Sequence, residues 1–376
     1  MKFIISTQNL LKELQILSGV IGTNSVLPIL EDFLLDLNGN DLKIFASDLE
    51  TSMSSVVQVD GEENGIIAIP AKILLDTLKA LPDQPLSFDI NLETNTVAIG
   101  SATGVYNLIG ETGDDFPTIP SRDTTNEVLI DSKILQNAIN KTLFATSTEE
   151  LRPAMTGINV ELAEDGATFV ATDAHKLVKY KNKSITSDSY NSFIVPRKAM
   201  GLLKNALVGQ AGDVQITYNN TNAFFNIGGI DLICRLIDAK YPDYNAVIPI
   251  NNPSTLTVNR IDLEKALKRI AIYSSKTTNQ VKLSIKETTL DLFAEDRDFS
   301  NEAQEQLACE FTGEDLDIAF NARFLAEVLS VLDSEQVVVK LSTPNRAGVV
   351  IPTETEDDED LLMLVMPLMI NQQQYG

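Results

Sequence analysis

The stretch Lys2-Phe3-Ile4-Ile5-Ser6 alternates like a half-buried strand, and Leu10, Leu11, Leu14 and Leu17 follow it at helical spacing. Close to one third of the 376-residue chain later the pairing returns: Glu127-Val128-Leu129-Ile130-Asp131 precedes Ile134, Leu135, Ala138 and Ile139. It returns again at Thr255-Leu256-Thr257-Val258-Asn259, ahead of Leu263, Ala266, Leu267 and Ile270. A second set lies about midway between these. Residues 65–70 lead into Leu74, Leu75, Leu78 and Leu81; 192–196 into Leu202, Leu203, Ala206 and Leu207; 315–320 into Phe324, Leu325, Val328 and Leu329. Repeats this long are not ordinary solenoid repeats. Six strand-to-helix units at near-even spacing predict three copies of one domain, each with internal pseudo-symmetry.

Between the helices the sequence reads as hairpins. Segments 34–37, 42–45 and 52–59 are apolar or alternating, with Asn38-Gly39-Asn40-Asp41 as a turn. In the middle third, 158–162 and 168–171 flank Glu164-Asp165-Gly166; in the last, 281–285 and 290–294 flank Lys286-Glu287-Thr288. Each third is thus an α+β module of helices and antiparallel strands. Polar, turn-rich linkers near 120–126 and 249–254 place the domains at 1–122, 126–250 and 254–371. The acidic run 354–360 reads as a solvated loop.

Net charge is −24, which by itself argues for solubility and against nucleic acid. Its distribution argues otherwise. Six helical windows (6–19, 70–81, 131–144, 196–207, 261–274 and 321–332) hold 12 Lys and Arg against 6 Asp and Glu, whereas the rest holds 17 against 47. Helices favour Glu as much as Lys, so propensity does not explain the imbalance. Helices sharing one face would make that face basic within an acidic body. The second helix of each third also begins with a cation: Pro70-Ala71-Lys72, Pro196-Arg197-Lys198, Asn321-Ala322-Arg323. A cation there opposes the helix dipole by about 0.3–1 kcal/mol. A polyanion lying across those helix ends offsets that cost.

Two cysteines far apart, Cys234 and Cys309, give no disulfide framework or zinc site and fit reduced, cytoplasmic thiols. No early basic-plus-apolar segment resembles a signal peptide, and no apolar run is long enough to span a bilayer. There is no phosphate-binding glycine loop, dinucleotide fingerprint, H-E-x-x-H or calcium-loop motif. The single histidine, His175, rules out a multi-histidine metal site, and no G-x-S-x-G elbow supports a triad through it. Without Trp and with 6% aromatics, a stacking platform for single strands is not expected. The chain reads as a scaffold, with an acidic repeat enzyme using carboxylates, or an oligomeric scaffold unrelated to DNA, as alternatives.

Nine short motifs, in order along the whole chain, carry a resemblance. They are Met1-Lys2-Phe3, Leu27-Pro28-Ile29-Leu30, Asp48-Leu49-Glu50, Asp115-Phe116-Pro117 and Ala171-Thr172-Asp173-Ala174-His175-Lys176-Leu177. Then follow Ile194-Val195-Pro196-Arg197-Lys198, Tyr241-Pro242-Asp243-Tyr244, Phe320-Asn321 and Val365-Met366-Pro367. With the threefold repeat, the chain resembles the bacterial DNA sliding clamps, the beta subunits of the replicative DNA polymerase III.

The resemblance implies a head-to-tail homodimer of six domains, closed around duplex DNA and bound to it without reading sequence. It implies Tyr106 and Leu108 on the first domain meeting Ile272 and Tyr273 on the last. It implies that Lys72, Lys79, Lys141, Arg197, Lys198, Lys204, Lys265, Lys268 and Arg269 face the DNA. No catalytic residue, cofactor, metal or membrane is implied. The implied partners are the polymerase catalytic subunit, a separate ATP-driven clamp loader, and repair and translesion polymerases. They dock short apolar peptides in a pocket matching Arg152, Met155, Thr172, Ala174, His175, Lys176, Leu177, Pro242, Val247, Asn321, Phe324, Val365, Met366, Pro367, Leu368 and Met369. Methionine and aliphatic side chains suit a groove that accepts several related peptides. Val365 to Met369 also reads as a plain last strand, and Pro367 makes it an edge segment. Four positions depart from the family pattern. Ala174 replaces a glycine and Lys176 an arginine, while Ala246 and Met369 stand at often basic sites, so a less basic pocket is expected. Asn24 stands where an arginine often touches DNA, and the segment 371–376 runs past the usual end.

Overall fold

The computed structural model describes residues 1–22, 27–118, 120, 122 and 126–370. Asn24 and the segment 371–376 lie outside the described residues. Among the described residues there are six α-helices: α1 (Thr7–Leu17), α2 (Ala71–Ala80), α3 (Ser132–Thr142), α4 (Arg197–Ala206), α5 (Arg260–Ile270) and α6 (Ala322–Ser330). Each follows directly on a strand, as the repeat predicts. The first helix of each third starts on a side-chain cap. Ser6 Oγ accepts from Asn9 N (3.2 Å), Asp131 Oδ1 from Lys133 N (2.9 Å), and Asn259 Oδ1 from Asp262 N (3.1 Å). Such a cap satisfies a helix-end N–H and is worth about 1 kcal/mol. The helices bury their apolar stripes: Leu10, Leu14 and Leu17 of α1, Leu263, Ala266, Leu267 and Ile270 of α5.

The chain forms two units, one of 1–136 with 198–236, the other of 137–197 with 237–376. The first holds a nine-stranded sheet in the order Glu111–Thr112, Gly65–Pro70, Asp32–Asn38, Asp41–Ser47, Thr51–Gln58, Ile230–Arg235, Asn222–Ile227, Asp213–Tyr218, Asn126–Asp131. It also holds a five-stranded sheet, Asp60–Glu63, Lys2–Ser6, Pro85–Asn91, Thr96–Gly100, Val105–Ile109. The second unit repeats the plan. Its nine-stranded sheet runs Asn191–Pro196, Gly157–Ala163, Gly166–Thr172, Lys176–Asn182, Glu359–Val365, Gly348–Pro352, Gln336–Leu341, Ser254–Asn259, Glu310–Thr312. Its four-stranded sheet runs Asn301–Ala308, Thr289–Asp296, Gln280–Ile285, Leu316–Asn321. The registers in which these strands pair are all antiparallel.

Each large sheet joins two thirds of the sequence. In the first unit Thr51–Gln58 pairs with Ile230–Arg235, Met53 opposite Leu232. In the second, Lys176–Asn182 pairs with Glu359–Val365, Tyr180 opposite Leu361. Backbone hydrogen bonds thus run through both sequence boundaries, and the middle third is shared between the units. Residues 354–358 of the acidic run form the exposed loop expected of them, and the departure lies at the end of the run. Its Glu359 is buried at the start of a strand, because three donors in the same unit satisfy it. They are Asn137 Nδ2 (2.7 Å), Lys141 Nζ (3.3 Å) and Tyr180 Oη (2.5 Å).

Candidate functional site

In the second unit the chain between Gly166–Thr172 and Lys176–Asn182 is a tight hairpin tip. Asp173 Oδ1 accepts from His175 N (2.9 Å) and Lys176 N (2.8 Å). Thr172 Oγ1 accepts from Ala174 N (3.1 Å) and donates to Lys176 O (2.8 Å). These bonds hold Ala174 at φ 73°, the left-handed region where glycine sits without strain. The tip presents His175 outward, and His175 O accepts from Met366 N (2.8 Å). Leu368 N then donates to Ala319 O (2.7 Å), so residues 366–368 lie as a short edge between tip and sheet.

The N-terminus of α6 completes this corner. Asn321 Oδ1 caps it by accepting from Arg323 N (3.0 Å) and Phe324 N (3.2 Å). The His175 and Phe324 rings stack with centroids 5.7 Å apart, and Lys176 Nζ lies 4.4 Å over the Phe324 ring. Lys176 Nζ also pairs with Asp173 (2.7 Å) and Glu327 (3.1 Å). The lysine is buried and its charge compensated, so its corner offers an aromatic surface rather than a free cation. Glu327 was not foreseen, and no sequence signal marks it: the need for a counter-charge arises only once folding buries Lys176.

Behind the tip, Leu177 packs with Val170, Tyr244, Ala347 and Leu364, with Tyr241 and Ile248 against them. Burial pushes both tyrosine phenols up, with Glu161 adding to the effect at Tyr244. Both phenols stay neutral donors, Tyr241 to Val170 O (3.3 Å) and Tyr244 to Glu161 Oε2 (3.0 Å). Leu177 and Val365, expected to line the site, are 2% and 0% exposed. They face inward on paired strands and are its floor, out of reach of a ligand. The reachable apolar groups are Val247, Met366 and Met369, all exposed, with Leu368 and Pro242 half-buried. Arg152 and Met155 sit on the turn before Gly157–Ala163, and their polar contacts are local: Arg152 to Glu149 (3.9 Å), Met155 N to Arg152 O (2.9 Å).

The cations expected on a common face divide into three kinds. Lys141 is a correction: it is buried against Glu359, which neutralises it, and it does not face solvent. Four others are exposed but engaged. Arg197 Nη1 donates to Thr146 O and Oγ1 (3.1 Å each), and Lys198 Nζ to Val20 O (2.7 Å) and Asp48 (2.5 Å). Lys268 pairs with Glu264 (2.5 Å), and Arg269 grips Glu305 bidentately (2.9 and 2.6 Å). Lys72, Lys79, Lys204 and Lys265 make no ion pair among the described residues, and Lys72, Lys79 and Lys265 are exposed.

Two sheet edges carry exposed apolar side chains or their neighbours. Strand Val105–Ile109 pairs on one side only, with Thr96–Gly100. Its Val105, Tyr106 and Ile109 are 65%, 38% and 71% exposed, whereas Leu108 is 9% exposed. Leu108 lies on the same face of the strand as Tyr106 but is buried in the single chain, unlike Tyr106. In the other unit, Asn301–Ala308 is also an edge. Ile272 and Tyr273, on the turn after α5, are 65% and 44% exposed. No helix among the described residues is long and apolar enough to cross a membrane.

Three family models match this chain in succession. They describe the N-terminal, central and C-terminal domains of the DNA polymerase III beta subunit, over residues 1–120, 129–243 and 245–369. The beta sliding clamp of Pseudomonas aeruginosa is 31% identical over 372 residues, 98% of this chain and 100% of that one. The beta sliding clamp of Vibrio cholerae is 30% identical over 373 residues, with the same coverage. A crystal structure of the DnaN sliding clamp of Pseudomonas aeruginosa bound to griselimycin superimposes with a TM-score of 0.92 at 29% identity, covering 98% of this chain and 100% of that one.

Proposed function

The chain belongs to the DNA polymerase III beta-subunit family, the sliding clamps, and from that premise we propose that two copies close head to tail around duplex DNA and tether polymerases to it. One observation carries the reading. The fourth sheet strand of the first third, Thr51–Gln58, pairs with the last sheet strand of the middle third, Ile230–Arg235. The matching strand of the middle third, Lys176–Asn182, pairs with the matching last strand, Glu359–Val365. Carried to the ends of the chain, the same plan matches Asn301–Ala308, the fourth strand of the last third, with Val105–Ile109, the last strand of the first third's small sheet, and each is paired on one side only. An unpaired edge is a template for another chain. A head-to-tail contact between two copies uses each of these two edges in both copies and leaves neither of them free, which closes the assembly. Tyr106, Ile272 and Tyr273 then lose their solvent exposure, as do Val105 and Ile109.

Closure gives permanence without strong contacts. Affinity from phosphate contacts falls steeply with salt, and every such contact must break for sliding. Lys72, Lys79, Lys204 and Lys265 supply a sparse field for this, with Arg197, Lys198 and Lys268 already partly engaged. The rest of the acidic surface repels DNA. The three domains proposed for each chain are 1–122, 126–250 and 254–371. The corner at His175, Phe324, Met366 and Leu368 receives partner peptides, whose apolar side chains sit over the floor of Leu177 and Val365.

The test is retention on DNA after loading. The dimer should stay on closed circular duplex at high salt and leave when the circle is cut, because only a free end releases a topological link. Equal loss from both forms would sink the ring.

A further inference from the structure

Lys176 meets two carboxylates at once. Its side chain is 6% exposed, and its Nζ lies 2.7 Å from Asp173 Oδ2 and 3.1 Å from Glu327 Oε2. The two acids differ in origin and in reach. Asp173 belongs to the same hairpin tip, and its other oxygen, Oδ1, accepts from His175 N (2.9 Å) and Lys176 N (2.8 Å). Its side chain is 15% exposed. Glu327 comes from α6, one turn beyond Phe324, and its side chain is 48% exposed. Asp173 is thus taken up by the lysine and the turn backbone, whereas Glu327 binds the lysine and stays half open to solvent.

The charges around the corner lean the same way. Arg152 lies beside Glu149 (3.9 Å). Asp243 is exposed next to Pro242, its Oδ1 accepting from Asn245 N (3.2 Å). Ala246 and Met369, both exposed, carry no charge. Arg323 lines the groove between α6 and α5 with Lys268 and Lys276. Glu327 borders that groove as well, and it is the α6 carboxylate that reaches the tip.

We propose that Glu327 is a specificity-determining residue of this corner, favouring partner peptides with a basic residue beside their apolar anchors over peptides with an acidic one there. The proposal rests on the peptide-docking reading and deepens it by naming the charge class of the peptide. Two effects of one side chain act together. Glu327 keeps the Lys176 ammonium engaged beside the Phe324 ring, 4.4 Å from its centroid, so the lysine does not attract an acidic peptide residue. Its half-exposed carboxylate also repels such a residue and attracts a lysine or arginine. Charges at a partly exposed interface discriminate between partners more than they add affinity.

The experiment uses the full-length protein and three synthetic peptides that share one apolar sequence and differ at a single flanking position, Lys, Ser or Asp. Dissociation constants are read by fluorescence anisotropy at low salt. The wild type should bind the Lys peptide most tightly and the Asp peptide least. Glu327→Gln keeps the shape and removes the charge. It should bind the Asp peptide about threefold tighter and the Lys peptide about threefold more weakly, the size of a partly exposed ion pair, with the Ser peptide almost unchanged. These opposite shifts should shrink at high salt. Lys176→Met leaves Glu327 without its cation and should widen the preference for Lys over Asp. Three outcomes overturn the proposal. Shifts in one direction for all three peptides make Glu327 a prop of the corner and not a selector. Constants that do not move in Glu327→Gln, or a preference that narrows in Lys176→Met, remove its charge from recognition. Phe324→Ala separates these results from failure of the docking reading: it should weaken all three peptides alike, and if it weakens none, the peptides bind elsewhere and both readings fall.

Discussion

The two sheet junctions have one backbone plan and one kind of ion pair, lysine with carboxylate, in opposite settings. At the first, the ion pair of Lys198 with Asp48 is partly open, its side chains 43% and 22% exposed. At the second, the strand that joins the sheet starts at Glu359, whose pair with Lys141 is 10% and 8% exposed. The first pair is solvated and contributes little. The second is sealed with Asn137 and Tyr180 around it, so removing either member leaves a buried charge without its partner. The hairpin tips before Thr51–Gln58 and Lys176–Asn182 both close on their helices through charge, Asp48 on Lys198 and Lys176 on Glu327, and the second also leaves a ring face and two methionines at the surface. Repetition of a fold therefore specifies where partners meet, and local side chains decide whether the meeting is structural or leaves a site for another molecule.

Breaking the buried pair should have the largest effect. Lys141→Met leaves Glu359 buried without its cation and should lower unfolding free energy by about 3 kcal/mol. Adding Glu359→Leu should recover a good part of that loss, as read from denaturant midpoints. If the single change costs under 1 kcal/mol, the junction is not held as described. The aromatic corner comes next. Phe324→Ala should weaken a clamp-binding peptide by about 2 kcal/mol in calorimetry with the dimer unaltered. Unchanged peptide affinity would move the pocket elsewhere.

A smaller effect sharpens the contrast between a paired and an unpaired buried acid. Asp32 in the first unit is 5% exposed, and its Oδ2 has no hydrogen-bond partner. Burial first, then Glu111 and Glu31, push its carboxyl up to about 7. A folded-state value raised above the ordinary 3.8 means that stability is full below about pH 4 and is lost as pH rises through 7. Melts from pH 5 to 8 should fall for the wild type and fall less for Asp32→Asn; parallel curves would show that Asp32 does not titrate there. The smallest effect belongs to the open pair: Lys198→Met should change stability by no more than about 1 kcal/mol.

Much of this was open to reading in the chain itself. Strand alternation at Lys2–Ser6 and the leucine spacing of α1 are relations between neighbours in sequence, so six strand-helix units and the α+β class could be read without a fold. Helix starts at Ser6, Asp131 and Asn259 were equally local, because a cap needs only the next three residues. The site was legible as motifs: the turn Thr172 to Lys176, the cap Asn321 and the segment Val365 to Met369 do converge within one unit. What sequence could not rank was exposure. Leu108 and Ile109 are adjacent apolar residues, yet one is core and the other surface, because the choice depends on which face of a sheet is covered. Lys141 and Lys79 look alike in helical windows. Only the folded chain brings Glu359, 218 positions away, within 3.3 Å of the first and leaves the second without an ion pair among the described residues. Periodicity is a property of the local chain and fixes what elements form; the state of a charge depends on partners that folding alone selects.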